Sequence, residues 1–272
     1  MVTPRFWLTA FSGTLLFQTL SLVNTSVSIP PFNSLGAVQA NTVENSVYKP
    51  PARPRPTSRT NGTGFRIEGD GLPRTSGTGS RGCSTSPSQP IAVDLLVPGD
   101  HIGWTASNHP TFFWYMNIVG KDSTAARFTL VEEGAPQPVF DQIIPITSSG
   151  IMSLELPKQS PGISPDKRYR WTVSVLCNPK RPSEVASFTQ SFIVQVAPSE
   201  DLIKRLAAAK SDLERAQIYA NASYWYDALA EYSKASATDS NAQKQMFLLL
   251  EQVGLGGVVK QVSTSPKTTN KQ

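Results

Sequence analysis

The only two histidines of the chain, His101 and His109, stand in one turn-rich stretch beside Asp100 and Ser107. An imidazole flanked by a hydroxyl and a carboxylate can activate a nucleophile, provided the fold holds the three groups in one fixed geometry. Here they share a loop with no strained strand-to-helix elbow to present the serine, so ordinary polar loop residues are expected. The two imidazoles and the carboxylate also lack a spacing that would impose tetrahedral geometry on zinc. Glu132, Glu133, Asp141 and Glu155 could supply the carboxylate pair of a glycosidase. Glu155, however, takes the solvent parity of its strand and Glu132-Glu133 flank a turn, as surface charges do. The run Gly77-Thr78-Gly79-Ser80-Arg81-Gly82 has no strand before it and no Lys-Ser/Thr after it, so it is not a phosphate loop. No catalytic, metal-binding or cofactor-binding residue is assigned, and the enzyme class is disfavoured.

The aromatic residues carry more information. Alternation over Pro110–Met116 turns Phe112 and Trp114 to one face of a strand and Phe113 and Tyr115 to the other. Large rings on a second face mark something that covers them. Either the C-terminal helices do so, or a ligand or partner does: rings stack on sugars, and tyrosine suits protein interfaces. Tyr224, Trp225 and Tyr226 pose the same question on the helical side. These five form the candidate ligand or partner surface.

The elements that must position these residues follow from periodicity. Arg168–Cys177 alternates strictly, with Tyr169, Trp171, Val173, Val175 and Cys177 on one face. Similar runs recur at 91–97, 110–116, 125–132, 139–144, 150–156 and 188–196, separated by turn pairs such as Pro98-Gly99 and Pro161-Gly162. They predict a seven-stranded sandwich over 81–198. Its core is Phe112, Trp114, Met116, Phe128, Leu130, Met152, Leu154, Leu156, the Arg168–Cys177 apolar face, Phe192, Val194 and Val196. The Pro-x-Phe-x-Trp of Pro110–Trp114, and Tyr169 opening a strand after Ile163-Ser164-Pro165, resemble fibronectin type III and immunoglobulin-like domains. That resemblance implies a buried Tyr169 whose hydroxyl is tied to nearby backbone; it implies no activity.

After Pro198 the period becomes helical, with Ser199 as a cap and Leu202, Leu206, Ala209, Leu213, Ala216 and Ala220 on one stripe. Further helices are predicted over about 224–235 and 241–253. This gives a two- to three-helix appendage over 199–258, packed on the sandwich, and a disordered tail over 259–272. The stretch 219–239 is similar to part of a tetratricopeptide repeat, a unit that needs neighbours to bury its faces.

Residues 1–40 read as a signal peptide: Arg5, an uncharged apolar run Phe6–Val23, and Val38-Gln39-Ala40 before a cleavage point. An uncleaved membrane anchor is the other reading, and would be the chain's one link to a membrane. Residues 41–80 are rich in Pro, Arg, Ser, Thr and Gly and predict a disordered tether. The net charge of +5 is modest and forms no dense basic block, so nucleic acid is not expected as a partner. Two cysteines, Cys83 and Cys177, in an exported chain favour a disulfide, with two separate buried thiols as the alternative.

Four stretches taken in order resemble a cyanobacterial family, domain of unknown function 928. They are Gly79-Ser80-Arg81-Gly82-Cys83, Pro110–Tyr115, Tyr169-Arg170-Trp171 running to Cys177-Asn178-Pro179, and Trp225-Tyr226-Asp227-Ala228-Leu229. The resemblance implies an exported protein of unassigned activity with no catalytic residues to carry over. The expectation is a periplasmic or extracellular, non-enzymatic interaction or structural module of the cell envelope, without cofactor, whose partner is an envelope protein or wall polymer. A carbohydrate- or peptidoglycan-binding module using the exposed aromatics is the alternative, and a wall-directed hydrolase the third.

Overall fold

The computed structural model describes residues 48–52, 74–78, 92–118 and 124–264. The expected signal segment, Cys83 and the tail beyond residue 264 lie outside them.

The chain is mainly β, in two sheets, followed by five helices. The strands are β1 Arg74–Thr78, β2 Ala92–Leu95, β3 Gly103–Thr105, β4 Thr111–Asn117, β5 Thr124–Glu132, β6 Phe140–Ile146, β7 Gly150–Glu155, β8 Arg168–Leu176 and β9 Val185–Gln195. The larger sheet runs β1-β9-β8-β5-β6, and β3 joins β9 in parallel; the smaller runs β2-β4-β7. All seven alternating runs are strands, but the count among the described residues is nine, not seven. The two additions have no apolar alternation to reveal them. β1 falls where a tether was expected and is held by backbone pairing, Arg74 opposite Ser191 through Thr78 opposite Ser187. β3 falls in the presumed histidine loop and pairs with Ile193–Gln195 of the same β9 edge.

The inner faces meet through rings. Phe112 lies 4.9 Å from Phe128 and 5.0 Å from Trp171, centroid to centroid, and Trp114 stacks on Phe128. Tyr169 is buried and its hydroxyl accepts the Ser164 N–H at 3.0 Å, fixing the turn that feeds β8.

The parity expected for β9 is corrected. Thr189, Ser191 and Ile193 are buried and oppose Val173, Trp171 and Tyr169, while Phe192, Val194 and Val196 are only half-buried. Opposite the Trp171 indole stands the small Ser191, and of the buried polar groups on this face Thr189 Oγ1 donates to the Val93 carbonyl. Phe192 lies on the other parity, beneath the Arg168 guanidinium at 4.8 Å.

The helices are α1 Glu200–Ala208, α2 Asp212–Asn221, α3 Trp225–Ala235, α4 Ser240–Gln252 and α5 Gly256–Thr264, so the expected two or three become five. The first periodic stripe is broken by a new start. Ser211 caps α2 by accepting from Glu214 N–H, while the Glu214 carboxylate reaches back to Lys210 N–H, a variant of the capping box. Gly254, at φ +82°, ends α4, and α5 starts within the expected appendage and runs on to Thr264, into the expected tail. α5 buries Val258 and Val259.

Candidate functional site

The structure separates the groups that the histidine stretch had placed together in sequence. His109 Nδ1 meets Asn108 Oδ1 at 3.0 Å and its Nε2 meets the Ser160 carbonyl at 3.2 Å, while Ser107 Oγ accepts the His109 backbone N–H. His101 turns elsewhere. Its Nδ1 lies 2.7 Å from Asp100 Oδ1 and its Nε2 lies 2.8 Å from the Tyr48 hydroxyl. A carboxylate only accepts, so Nδ1 donates to Asp100, and in the tautomer that carries its one proton there Nε2 accepts from the Tyr48 hydroxyl. Burial, with help from the Asp100 charge, pushes that hydroxyl's pKa up, which keeps it a donor. No serine joins this chain of bonds.

Among the described residues there is no group of three or more potential metal ligands. Glu132 pairs with Lys167 at 2.8 Å, Glu133 with Arg168, and Asp141 with Arg127. All three carboxylates are thus bonded to cations of the fold.

The five candidate surface aromatics are all buried. Phe113 and Tyr115 are 4% and 2% exposed and share one hydrophobic cluster with Trp225 of α3, Leu249 and Leu250 of α4, and Val258 and Val259 of α5. Tyr224 donates to the Ala197 carbonyl at 3.1 Å and meets Trp104 and Tyr219 edge-on. Trp225 Nε1 donates to the Leu96 carbonyl at 2.9 Å, satisfying the backbone just after β2. Tyr226 reaches between the sheets: its ring lies 5.8 Å from Phe112, and its hydroxyl bonds Trp171 Nε1 and the Phe192 carbonyl. These rings fasten helices to sheets and offer no stacking platform to a ligand.

Asp227 follows them into the seam. Its carboxylate accepts the Ala106 N–H at 2.9 Å and bonds the Thr105 hydroxyl, yet burial pushes its pKa up to about 6. Backbone donors only partly offset the cost of taking a carboxylate out of water.

A second arrangement had no forecast. Tyr48, expected to lie in a disordered tether, is 2% exposed. Its ring stacks on His101, 5.5 Å between centroids, and stands edge-on to Trp225 at 5.0 Å. The Gln252 side-chain amide, at the end of α4, clamps its backbone in both directions. Tyr48 N–H donates to Oε1 at 3.0 Å and Nε2 donates to the Tyr48 carbonyl at 2.7 Å. Lys49 N–H then donates to Ala220, one of the last carbonyls of α2. Beside this seat a cavity of about 290 Å³ remains open, lined by Tyr48, Pro50, Asp100, His101, Gln252 and Val253. The signal that could have found it is Tyr-Lys-Pro-Pro at 48–51, one large ring followed by two residues that hold the chain extended.

The family model described as Domain of Unknown Function (DUF928) matches residues 76–263, from within β1 to within α5. No curated protein matches the chain.

Proposed function

The chain belongs to the DUF928 family, and from that premise we propose that it is an exported, non-enzymatic interaction or structural module of the cell envelope, working in the periplasm or outside the cell. One observation carries the reading: the ring nitrogens of both histidines are all engaged by the chain itself, by Asp100 and Tyr48 around His101 and by Asn108 and Ser160 around His109. The hydroxyl on His101 Nε2 is the Tyr48 phenol, which burial keeps protonated, and His109 meets only an amide oxygen and a carbonyl, so neither imidazole is paired with an activated nucleophile. The ion-paired Glu132, Glu133 and Asp141 are equally poor candidates for a hydrolytic pair.

Export is supported by the uncharged Phe6–Val23 run behind Arg5. The bonded Tyr169 corner favours an immunoglobulin-like scaffold for the β part, elaborated by β1 and β3. Such scaffolds present surfaces, and the partner is an envelope protein or a wall polymer. A sugar platform built on Phe113 and Tyr115 loses its support, since both rings are spent inside the molecule.

Cell fractionation and capture test the reading together. The mature chain is expected in the periplasmic or extracellular fraction, and immobilised full-length protein is expected to retain one envelope protein or wall polymer in a complex that re-forms from purified components. Retention of the chain in the cytosol would overturn it.

A further inference from the structure

The seat of Tyr48 is built like a peptide-recognition site. A side chain is recognised by ring stacking on His101, an edge contact with Trp225 and a hydroxyl bond to His101 Nε2. The backbone on both sides of it is read by the Gln252 amide, and the next residue by Ala220. Backbone bonds give affinity and a ring in a pocket gives specificity, which is how grooves bind extended segments. Every receptor residue, from Asp100 and His101 to Ala220, Trp225 and Gln252, lies within the span 76–263 matched by the family, whereas the arm, Tyr48–Ala52, lies before it. The groove thus lies within the matched span, and the arm that fills it lies before that span.

We propose that this groove is a docking site for an extended Tyr-Lys-Pro-Pro segment, and that the partner which supplies it in trans is the arm of a second copy of this chain. The arm fits the groove of another copy as it fits its own. It is joined to β1 through residues 53–73, a length of chain that can reach at most about 70 Å, so it can cross to a neighbour. The outcome is arm exchange between copies, a low-cost route to assembly. Tethering makes the arm's own groove see it at an effective concentration on the order of millimolar, so dilute protein stays closed and exchange is favoured where copies crowd. The inference deepens the interaction-module reading by naming a partner; its test, done in solution, can fail while the envelope reading stands.

The test uses full-length protein in two variants: Tyr48→Ala, with an intact but vacated groove, and His101→Ala/Gln252→Ala, with an intact arm and a damaged groove. A labelled peptide of residues 46–53 is expected to bind Tyr48→Ala at least about tenfold more tightly than wild type, whose groove is filled, and to lose that affinity when Gln252→Ala is added. Mixed together, the two variants are expected to form a one-to-one heterodimer by native mass spectrometry, with each alone monomeric. Equal or absent peptide binding would overturn the site; peptide binding without heterodimer would overturn the second copy as its partner. Should Tyr48→Ala lose its circular dichroism, wild-type protein nicked by trypsin within 53–73 serves instead. Its arm must then stay bound and leave when excess peptide is added, and an arm lost on nicking alone overturns the proposal.

Discussion

The hydroxyl of Tyr226 accepts the indole N–H of Trp171 at 2.9 Å and donates to the Phe192 carbonyl at 3.2 Å. One phenol on α3 is thereby bonded to two adjacent strands, β8 and β9, in the middle of the larger sheet. With Trp225 bonded to Leu96 and Asp227 to Ala106, three consecutive residues fasten the helical part to the β part.

Tyr226→Phe keeps the ring and removes the shared hydroxyl, leaving a buried indole donor without its partner. The expected cost is about 1 to 3 kcal/mol of stability with the fold retained. Urea denaturation read by tryptophan fluorescence measures it, and an unchanged midpoint would mean the bond contributes nothing.

Gly103 in β3 admits the same ring. A Cβ there would stand 2.8 Å from Tyr226 Cε2 and 3.4 Å from Trp225 Cβ. Gly103→Ala is therefore expected to cost about 1 to 3 kcal/mol through overpacking, since both neighbours are fixed in the core. Wild-type stability in thermal unfolding would contradict the close approach.

Asp227 makes stability depend on pH. Its folded pKa is raised from 3.8 to about 6, so through that window the folded chain holds more protons than the unfolded one. Stability from this group is fully present below the lower value and is lost as pH rises through the upper, by up to about 3 kcal/mol. Asp227→Asn can still accept the Ala106 N–H and is expected to remove that fall. Parallel stability curves for wild type and variant from about pH 4 to about pH 7 would refute the assignment.

Truncation after Pro198 strips Trp225 and Tyr226 out of the sandwich and leaves Phe113 and Tyr115 without the helices that share their cluster. Burial of four such side chains contributes on the order of 6 to 12 kcal/mol before entropy is subtracted, comparable with the whole stability of a domain. The fragment is expected to aggregate in size-exclusion chromatography. A soluble monomer melting like the full chain would show that the helices are dispensable.

The sandwich runs were legible because each strand alternates, and Tyr169 because its turn and ring are adjacent in sequence. β9 misled because its inward face is Thr189, Ser191 and Ile193; hydrophobicity alone favours Phe192 and Val194, which the bulk of Trp171 and Tyr226 makes unnecessary inside. β1 and the Tyr48 arm were hidden because backbone pairing and a glutamine amide hold them, and neither leaves an apolar period. Phe113, Tyr115 and the Tyr224–Tyr226 rings were singled out correctly as needing cover, but alternation cannot say what supplies it. The structure buries Phe113 and Tyr115 in one hydrophobic cluster that also holds residues of α3, α4 and α5.

The most direct measurement of the functional reading is chemical. Isolated wall polymer is incubated with the mature protein and with a His101→Ala/His109→Ala variant, and the soluble products are followed by mass spectrometry. The account predicts no time-dependent release with either protein. Release by the wild type that disappears in the variant would contradict it.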